Sequence, residues 1–387
     1  MSENLCDGPR GRRVILELAS AVLPEDARRA LFELAHQAAV DAGDAITRVT
    51  FTAPGDDGEA GEACDAQMVS PEPPTRSQLA RAIRVAGSLG PLAPDGEAFA
   101  TAMLRAVDSA RYWQPPEGMD IVAADPAVRA ALAEVGAGLD AHPDAAWWRR
   151  ERTVEQWAVE FDPSGDGAPF DPAPAAARRW STDAADEEVR ARLERPADVT
   201  APFSGTWWSH PWGAPHTTGE LPEDLTGVTG LPGLPAGIPY VEDGFGWTRA
   251  VAVPARGGGR TYEIRGAADW AHLCRAYPLE VTASRRHDWY RVTGRDGRWV
   301  LPDWARVSEA WDAVHLSGWG YLTAATREIA VDAEYSSVIA GWGPDETYWL
   351  TGLVRETEGP RVHWRAERSE GPWGRDDRTP AALSPGR

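Results

Sequence analysis

Polar residues of complementary chemistry crowd into the stretch from Gly266 to Leu350. Arg285, Arg286, His287 and Asp288 come first, then Asp303, then Asp312 and His315, and Asp345-Glu346 closes the series, with eight tryptophans between Trp270 and Trp349. Polar groups set into an aromatic wall have the composition of a lined pocket. In Asp312–Ser317 a period of two sends Val314 and Leu316 to one face and Ala313, His315 and Ser317 to the other. His315 then has small neighbours and room for a ligand, and its near-neutral pKa suits a general base or ligand hydrogen-bonder, with Asp312 at the strand entrance. The competing reading is a partly buried histidine bonded to a carbonyl. Read as a strand entry, Arg285 and His287 share one face and Arg286 and Asp288 the other. Such guanidiniums can grip phosphate or carboxylate in a fork, with Trp289 beside them for stacking. The plainer alternative is a solvated charged strand end. Glu346 follows the turn Gly343-Pro344-Asp345 and offers a second carboxylate, although acids at turns are common on any surface. Most of the 19 tryptophans must be core. Trp319, with Trp207, Trp208 and Trp212, lies in Gly/Pro-rich context and is expected to line a groove.

The elements that must position these groups divide the 387 residues into a helix-rich N-terminal α+β region, 1–161, and a Trp-rich C-terminal α/β domain, 200–355. A Pro/Gly/Asp linker and helix, 162–199, join them, and a charged tail, 356–387, is expected to be disordered. In the first region Val14–Leu18 and Ile46–Thr52 read as strands. Pro24-Glu25-Asp26 opens a helix with proline and acids in its first turn. Residues 55–77 are acidic, Gly/Pro-rich and expected to be a disordered loop. Helical patterns follow at Gln78–Ala86, Gly96–Trp113 and Asp125–Leu139, and Thr153–Phe161 alternates as a strand. The pair Trp147-Trp148 is echoed by Trp207-Trp208, a faint sign of duplication that chance explains better. In the second domain, Trp247–Val253, Arg260–Ile264, Leu279–Thr282, Trp289–Val292, Val314–Ser317, Ser337–Trp342 and Thr347–Leu353 read as strands. Ala267–Ala276 and a segment begun by Pro302-Asp303 read as helices. The expected fold class is α+β, with a small C-terminal sheet that is largely antiparallel or split.

Composition excludes some functions. A formal charge of −20 with all 39 cations arginine and no lysine argues against nucleic-acid binding, which needs clustered positive charge. Arginine without lysine follows from GC-rich coding and needs no selected chemistry. No apolar run of ~18 residues suggests a membrane span, and the N-terminus lacks the apolar core of a signal peptide, so a cytoplasmic location is expected. Cys6, Cys64 and Cys274 are widely spaced and read as reduced thiols. His210 and His216 are six apart with no nearby cysteine, so no metal site is expected. Dinucleotide, P-loop and Gly-x-Ser-x-Gly fingerprints are missing.

Tyr262-Glu263-Ile264, Ser284–Trp289, Pro302-Asp303-Trp304, Asp312–Leu316 and Gly341–Thr347 together resemble a group of Trp-rich actinobacterial proteins, over most of the chain from Arg111 to Leu350. The resemblance brings no activity, ligand or catalytic residue with it. The residues themselves favour an enzyme of transferase type acting on a small anionic or nucleotide-like substrate. His315 would be its acid–base group, Glu346 and Asp312 the carboxylates, and Arg285, Arg286, His287, Trp289 and Trp319 the substrate-binding set. Its sharpest form uses NAD in the layout of ADP-ribosyltransferases, an analogy of layout alone. The alternative is a recognition protein that binds a peptide, sugar or protein partner through its Trp/Pro-rich surface. Clustering of His315, Arg285 or Arg286 and Glu346 around one pocket distinguishes the two.

Overall fold

The computed structural model describes residues 4–43, 73–88, 92, 94–163, 170, 175–222, 233–242, 244, 246–368 and 371–376. The N-terminal part is helical: α1 (Pro9–Val22), α2 (Glu25–Asp41), α3 (Arg76–Ser88), α4 (Gly96–Asp108), α5 (Gly118–Ala124) and α6 (Pro126–Val135). Its axis is α1, in which Arg10 to Ala19 are buried without a break and against which α4, α5 and α6 pack. The apolar run Val14–Leu18 was expected as a strand and lies inside this helix instead. A short apolar run does not distinguish a buried strand from a helix buried all round. Here Pro9 at the first helical position and the i,i+4 pair Arg13–Glu17 (2.6 Å) settle it. Asp95 and Asp125 cap α4 and α6 by accepting from N–H groups in the first turn. These helices stop at Asp108 and Val135, short of the expected Trp113 and Leu139. The expected strand Ile46–Thr52 and residues 55–72 of the expected loop lie outside the described residues, as does Cys64, whereas Arg76 already begins α3. Cys6 and Cys274 are buried free thiols.

The later helices are α7 (Ala176–Glu194), α8 (Ala267–Ala276), α9 (Thr282–Thr293), α10 (Trp304–Ala310) and α11 (Gly318–Ala324). In chain order the strands are β1 (Glu155–Phe161), β2 (His216–Thr218), β3 (Arg249–Gly257), β4 (Thr261–Ile264), β5 (Pro278–Glu280), β6 (Arg298–Pro302), β7 (Ala313–Leu316), β8 (Ile329–Ala330), β9 (Tyr335–Ser337), β10 (Glu346–Trp349), β11 (Val354–Glu356), β12 (Val362–Ala366) and β13 (Trp373–Arg375). The chain is thus α+β, with helices mostly N-terminal and a sheet-rich C-terminal part. The larger sheet runs β13-β12-β3-β1-β2-β10-β7-β4, with β11 also on β3, and only β4–β7 is parallel in it. The smaller sheet runs β5-β6-β9-β8. β1 pairs with β3 along its whole length, Glu155 opposite Arg256 to Phe161 opposite Ala250. It therefore lies in the same sheet as the C-terminal strands, and one apolar core extends from Leu5 to Trp373.

Two further expectations need correction. The tail beyond Glu356 does not fray at once: β12 and β13 extend the sheet and bury Trp364 and Trp373, while residues 377–387 lie outside the described set. Residues Ser284–Val292 form α9 and neither a strand entry nor a strand. Its first N–H groups are capped from a distance, Ala283 and Ser284 donating to the Glu188 carboxylate of α7 (both 2.9 Å), and Gly294 ends it at φ 71°. That cap comes from 95 residues away, so no local signal announced it. The paired tryptophans occupy unlike settings, Trp147-Trp148 in a 3-10 turn, Pro143–Arg149, and Trp207-Trp208 in irregular chain, which agrees with chance as the better explanation of their echo. No helix among the described residues is long and apolar enough to cross a membrane.

Candidate functional site

Strand alternation builds the floor of a chamber on one face of the larger sheet. Trp157, Val159 and Phe161 of β1 project to that face, and the registers Trp157 opposite Thr218, Thr218 opposite Glu346 and His216 opposite Tyr348 carry it across β2 and β10. The walls come from two loops with few hydrogen-bonded elements, one with Trp207, Trp208, His210 and Trp212, the other with Tyr240, Glu242 and Trp247, and from Gly341-Trp342. The enclosed volume is about 460 Å³, within the usual range of small-molecule sites. Adjacent rings meet at steep angles, Trp207–Trp208 at 82° and Trp342–Tyr348 at 69°. Ser209 fixes this wall: its Oγ accepts from Trp342 Nε1 (3.1 Å) and Ala340 N–H (2.9 Å). Gly341 has φ 76°, and a Cβ there would press on Trp208 and His210 at 3.1 Å, so the tight wall needs glycine.

Two carboxyl groups belong to the chamber. Glu346 Oε2 accepts from Gly343 N–H at 2.7 Å, and Oε1 lies 3.8 Å from His216 Nε2, too far for a hydrogen bond. Burial raises the Glu346 carboxyl above its ordinary range. Glu242 accepts from Tyr112 Oη (2.7 Å) and Gly341 N–H (2.9 Å), yet burial outweighs these bonds and lifts it to about 8. His210, stacked on Tyr348 with centroids 4.8 Å apart, is pushed down to about 3 by burial and then by His216, so it is neutral. Because Glu242 has a higher pKa folded than unfolded, the native state holds its proton between about 4.5 and about 8, and stability declines as pH rises through that window. Glu242→Gln is expected to flatten this decline. Thermal unfolding at pH 5 and pH 8 checks it, and identical slopes for the two proteins would show that Glu242 does not titrate there.

The opposite face of the sheet is polar and closed. His315 is fully buried, opposite Thr347 on one side and Glu263 on the other. Its Nδ1–H donates to Glu263 Oε2 (2.6 Å) and its Nε2–H to Asp345 Oδ1 (3.3 Å). Burial alone would lower its pKa, but the bonds and charges of Asp345 and Glu263 prevail and raise it to about 9, so the ring is a cation at neutral pH. Asp345 Oδ2 accepts from Arg150 Nη2 (2.9 Å) and Gly219 N–H (3.0 Å). A Cβ on Gly219 would meet that oxygen at 2.5 Å. These bonds hold Asp345 at φ 63°, a conformation costing a non-glycine residue about 1–3 kcal/mol. The room expected beside His315 is filled, and it and Glu346, one on each face, do not form one acid–base pair.

The other expected site residues are also placed apart. Asp312 staples the sheet, accepting from Arg260 N–H (2.7 Å) and Thr351 Oγ1 (3.1 Å). Arg285 is buried and paired with Glu187 (3.1 Å), which also holds Arg195, in a separate cleft of about 520 Å³ along α7. Arg286 donates to the Arg195 carbonyl (2.9 Å), and His287 is buried against Phe203. Trp289 is fully buried and donates from Nε1 to the Trp207 carbonyl (2.8 Å), while Asp288 accepts from Ser204 Oγ and Gly205 N–H. Together they anchor the segment that presents Trp207 and Trp208. Trp319 is buried under the Arg149 guanidinium, 3.6 Å from its ring centroid, and lines no part of the chamber. Of the expected residues only Glu346, with the suspected Trp207, Trp208 and Trp212, reaches it. Sequence reasoning missed Glu242, His210, His216 and Trp157 as chamber residues. The signal for β1 was its alternation, which named the face but not what the face meets. Comparison of the chain with family models, curated proteins and solved structures finds no match.

Proposed function

We propose that this protein is a small-molecule recognition protein that takes a ligand with a flat apolar body into the aromatic chamber. The observation that carries this reading is the chamber itself, about 460 Å³ walled by indoles and phenols with a carboxyl group on its floor and another on its wall. An anionic or nucleotide-like substrate, NAD included, suits this lining less well. The lining offers phosphate no arginine, an ionised Glu346 would repel it, and Arg285 and Arg286 are engaged elsewhere. One observation favours transformation of the bound molecule: the raised carboxyl of Glu346 beside His216 is the pairing a general acid–base step uses.

The test is a thermal-shift and tryptophan-quenching screen with indole, tryptamine, nucleosides, sugars, nucleotides and NAD, repeated with Trp212→Ala and Arg285→Ala. Trp212 is 67% exposed, so its truncation leaves the fold intact. A ligand at about 100 times its Kd stabilises by about 2.7 kcal/mol. The expected hit is an uncharged or cationic aromatic whose affinity drops roughly tenfold in Trp212→Ala, as loss of one aromatic contact implies. A shift seen only with nucleotides or NAD, and lost in Arg285→Ala alone, would sink the proposal. Mass spectrometry of incubated hits reads out chemical change.

A further inference from the structure

Resting on that reading, we infer that the chamber selects an organic cation, an alkylated ammonium group held against aromatic faces with the Glu346 carboxylate as its counter-ion. The first support is the shape of the wall. Trp207 and Trp208 meet at 82°, Trp208 and Trp212 at 42°, and Trp342 and Tyr348 at 69°, while His210 stacks on Tyr348, so the lining rings lie in several planes around the space. A cation within ~6 Å of several ring centroids is attracted by each quadrupole, most strongly where water is excluded.

The second support is the disposition of charge. Glu346 stands on the chamber floor between Thr218 and Leu316, with its side chain 16% exposed. Its Oε2 accepts from Gly343 N–H, its Oε1 lies 3.8 Å from His216 Nε2, and Tyr348 of the same strand also hydrogen-bonds the carboxyl, so the charge stays on the chamber face with no cationic arginine on it. Glu242, which holds its proton up to about 8, places no positive charge on the wall, and no arginine stands among the described lining residues in a chain whose basic side chains, histidine apart, are all arginine. Burial holds the Glu346 carboxyl above its ordinary range, a penalty that a ligand cation beside it reverses. The chain's net charge of −20 raises the local concentration of cations further.

The test compares two probes of nearly equal shape, choline and its uncharged isostere 3,3-dimethylbutan-1-ol, by titration against the full chain, with indole as a neutral aromatic control. Choline is expected to bind roughly 30-fold more tightly than the alcohol, the factor a desolvated cation–π contact supplies. Glu346→Gln keeps an acceptor for Gly343 N–H, and its preference for choline over the alcohol is expected to fall to about threefold or less. Indole binding with no preference for choline overturns the cation inference and leaves the chamber reading standing. Failure of all three probes overturns both. An undiminished preference in Glu346→Gln overturns the role of Glu346 as counter-ion.

Discussion

His315→Ala is expected to cost about 3–5 kcal/mol of stability, because it strips a fully buried cation from between two carboxylates and, among the described residues, leaves Asp345 with Arg150 as its remaining ion-pair partner. The loss should depend on pH with a definite sign. The folded pKa of His315 is raised from 6.5 to about 9, so the native state binds more protons than the unfolded chain between those values. The stabilisation is therefore complete below pH 6.5 and disappears as pH rises through about 9. Denaturant unfolding of parent and variant at pH 6, 8 and 10 should show curves far apart at pH 6 that converge at pH 10. Equal separation at all three values would mean that His315 is neutral and that only packing was lost. The variant bears on the site as well. Asp345 directly precedes Glu346, and its left-handed turn is held by His315, Arg150 and Gly219 together. Releasing that turn should loosen Glu346 on the other face of the sheet.

Arg10→Leu is expected to have an effect of similar size, about 3–5 kcal/mol, from the same cause: a buried charge pair broken on one side. Arg10 is 2% exposed; its Nη2 pairs with Asp120 of α5, its Nη1 donates to the Ala106 carbonyl (2.7 Å) and Ser109 Oγ (2.8 Å) at the end of α4, and its Nε donates to Thr326 Oγ1 (3.0 Å). One planar guanidinium therefore ties three N-terminal helices to the segment after α11. Arg10→Lys keeps the charge without the fork and should fall between parent and Leu variant. Urea unfolding measures both. A single cooperative transition lowered as a whole is expected, since the apolar core is continuous from Leu5 to Trp373. Loss confined to an early helical transition would show that the N-terminal helices unfold as a separate unit.

Much of the fold was legible locally. Ala267–Ala276 forms the expected helix with Trp270, Leu273 and Cys274 buried, Asp303 caps α10 as its position beside Pro302 suggests, and the alternation of Val314 and Leu316 against His315 gives the correct faces of β7. Each of these follows from periodicity or a cap within a few residues. Reading α9 as a strand failed because its N-terminal cap is Glu188, supplied from another helix.

Sequence alone determined the α+β class, the abundance of indole and carboxylate in the C-terminal half, and the alternation that sorts side chains to one face of a strand or the other. Tertiary structure decided which of those faces meet. Registers across β1, β2, β10 and β7 place Glu346 over an aromatic chamber and seal His315 between Glu263 and Asp345 beneath it. Residues next to each other in β10, or a few positions apart in α9, thus came to serve different surroundings. The physical reason is that side-chain direction is a local property of the backbone, whereas the partners a side chain meets depend on pairings between segments as far apart as Trp157 and Tyr348.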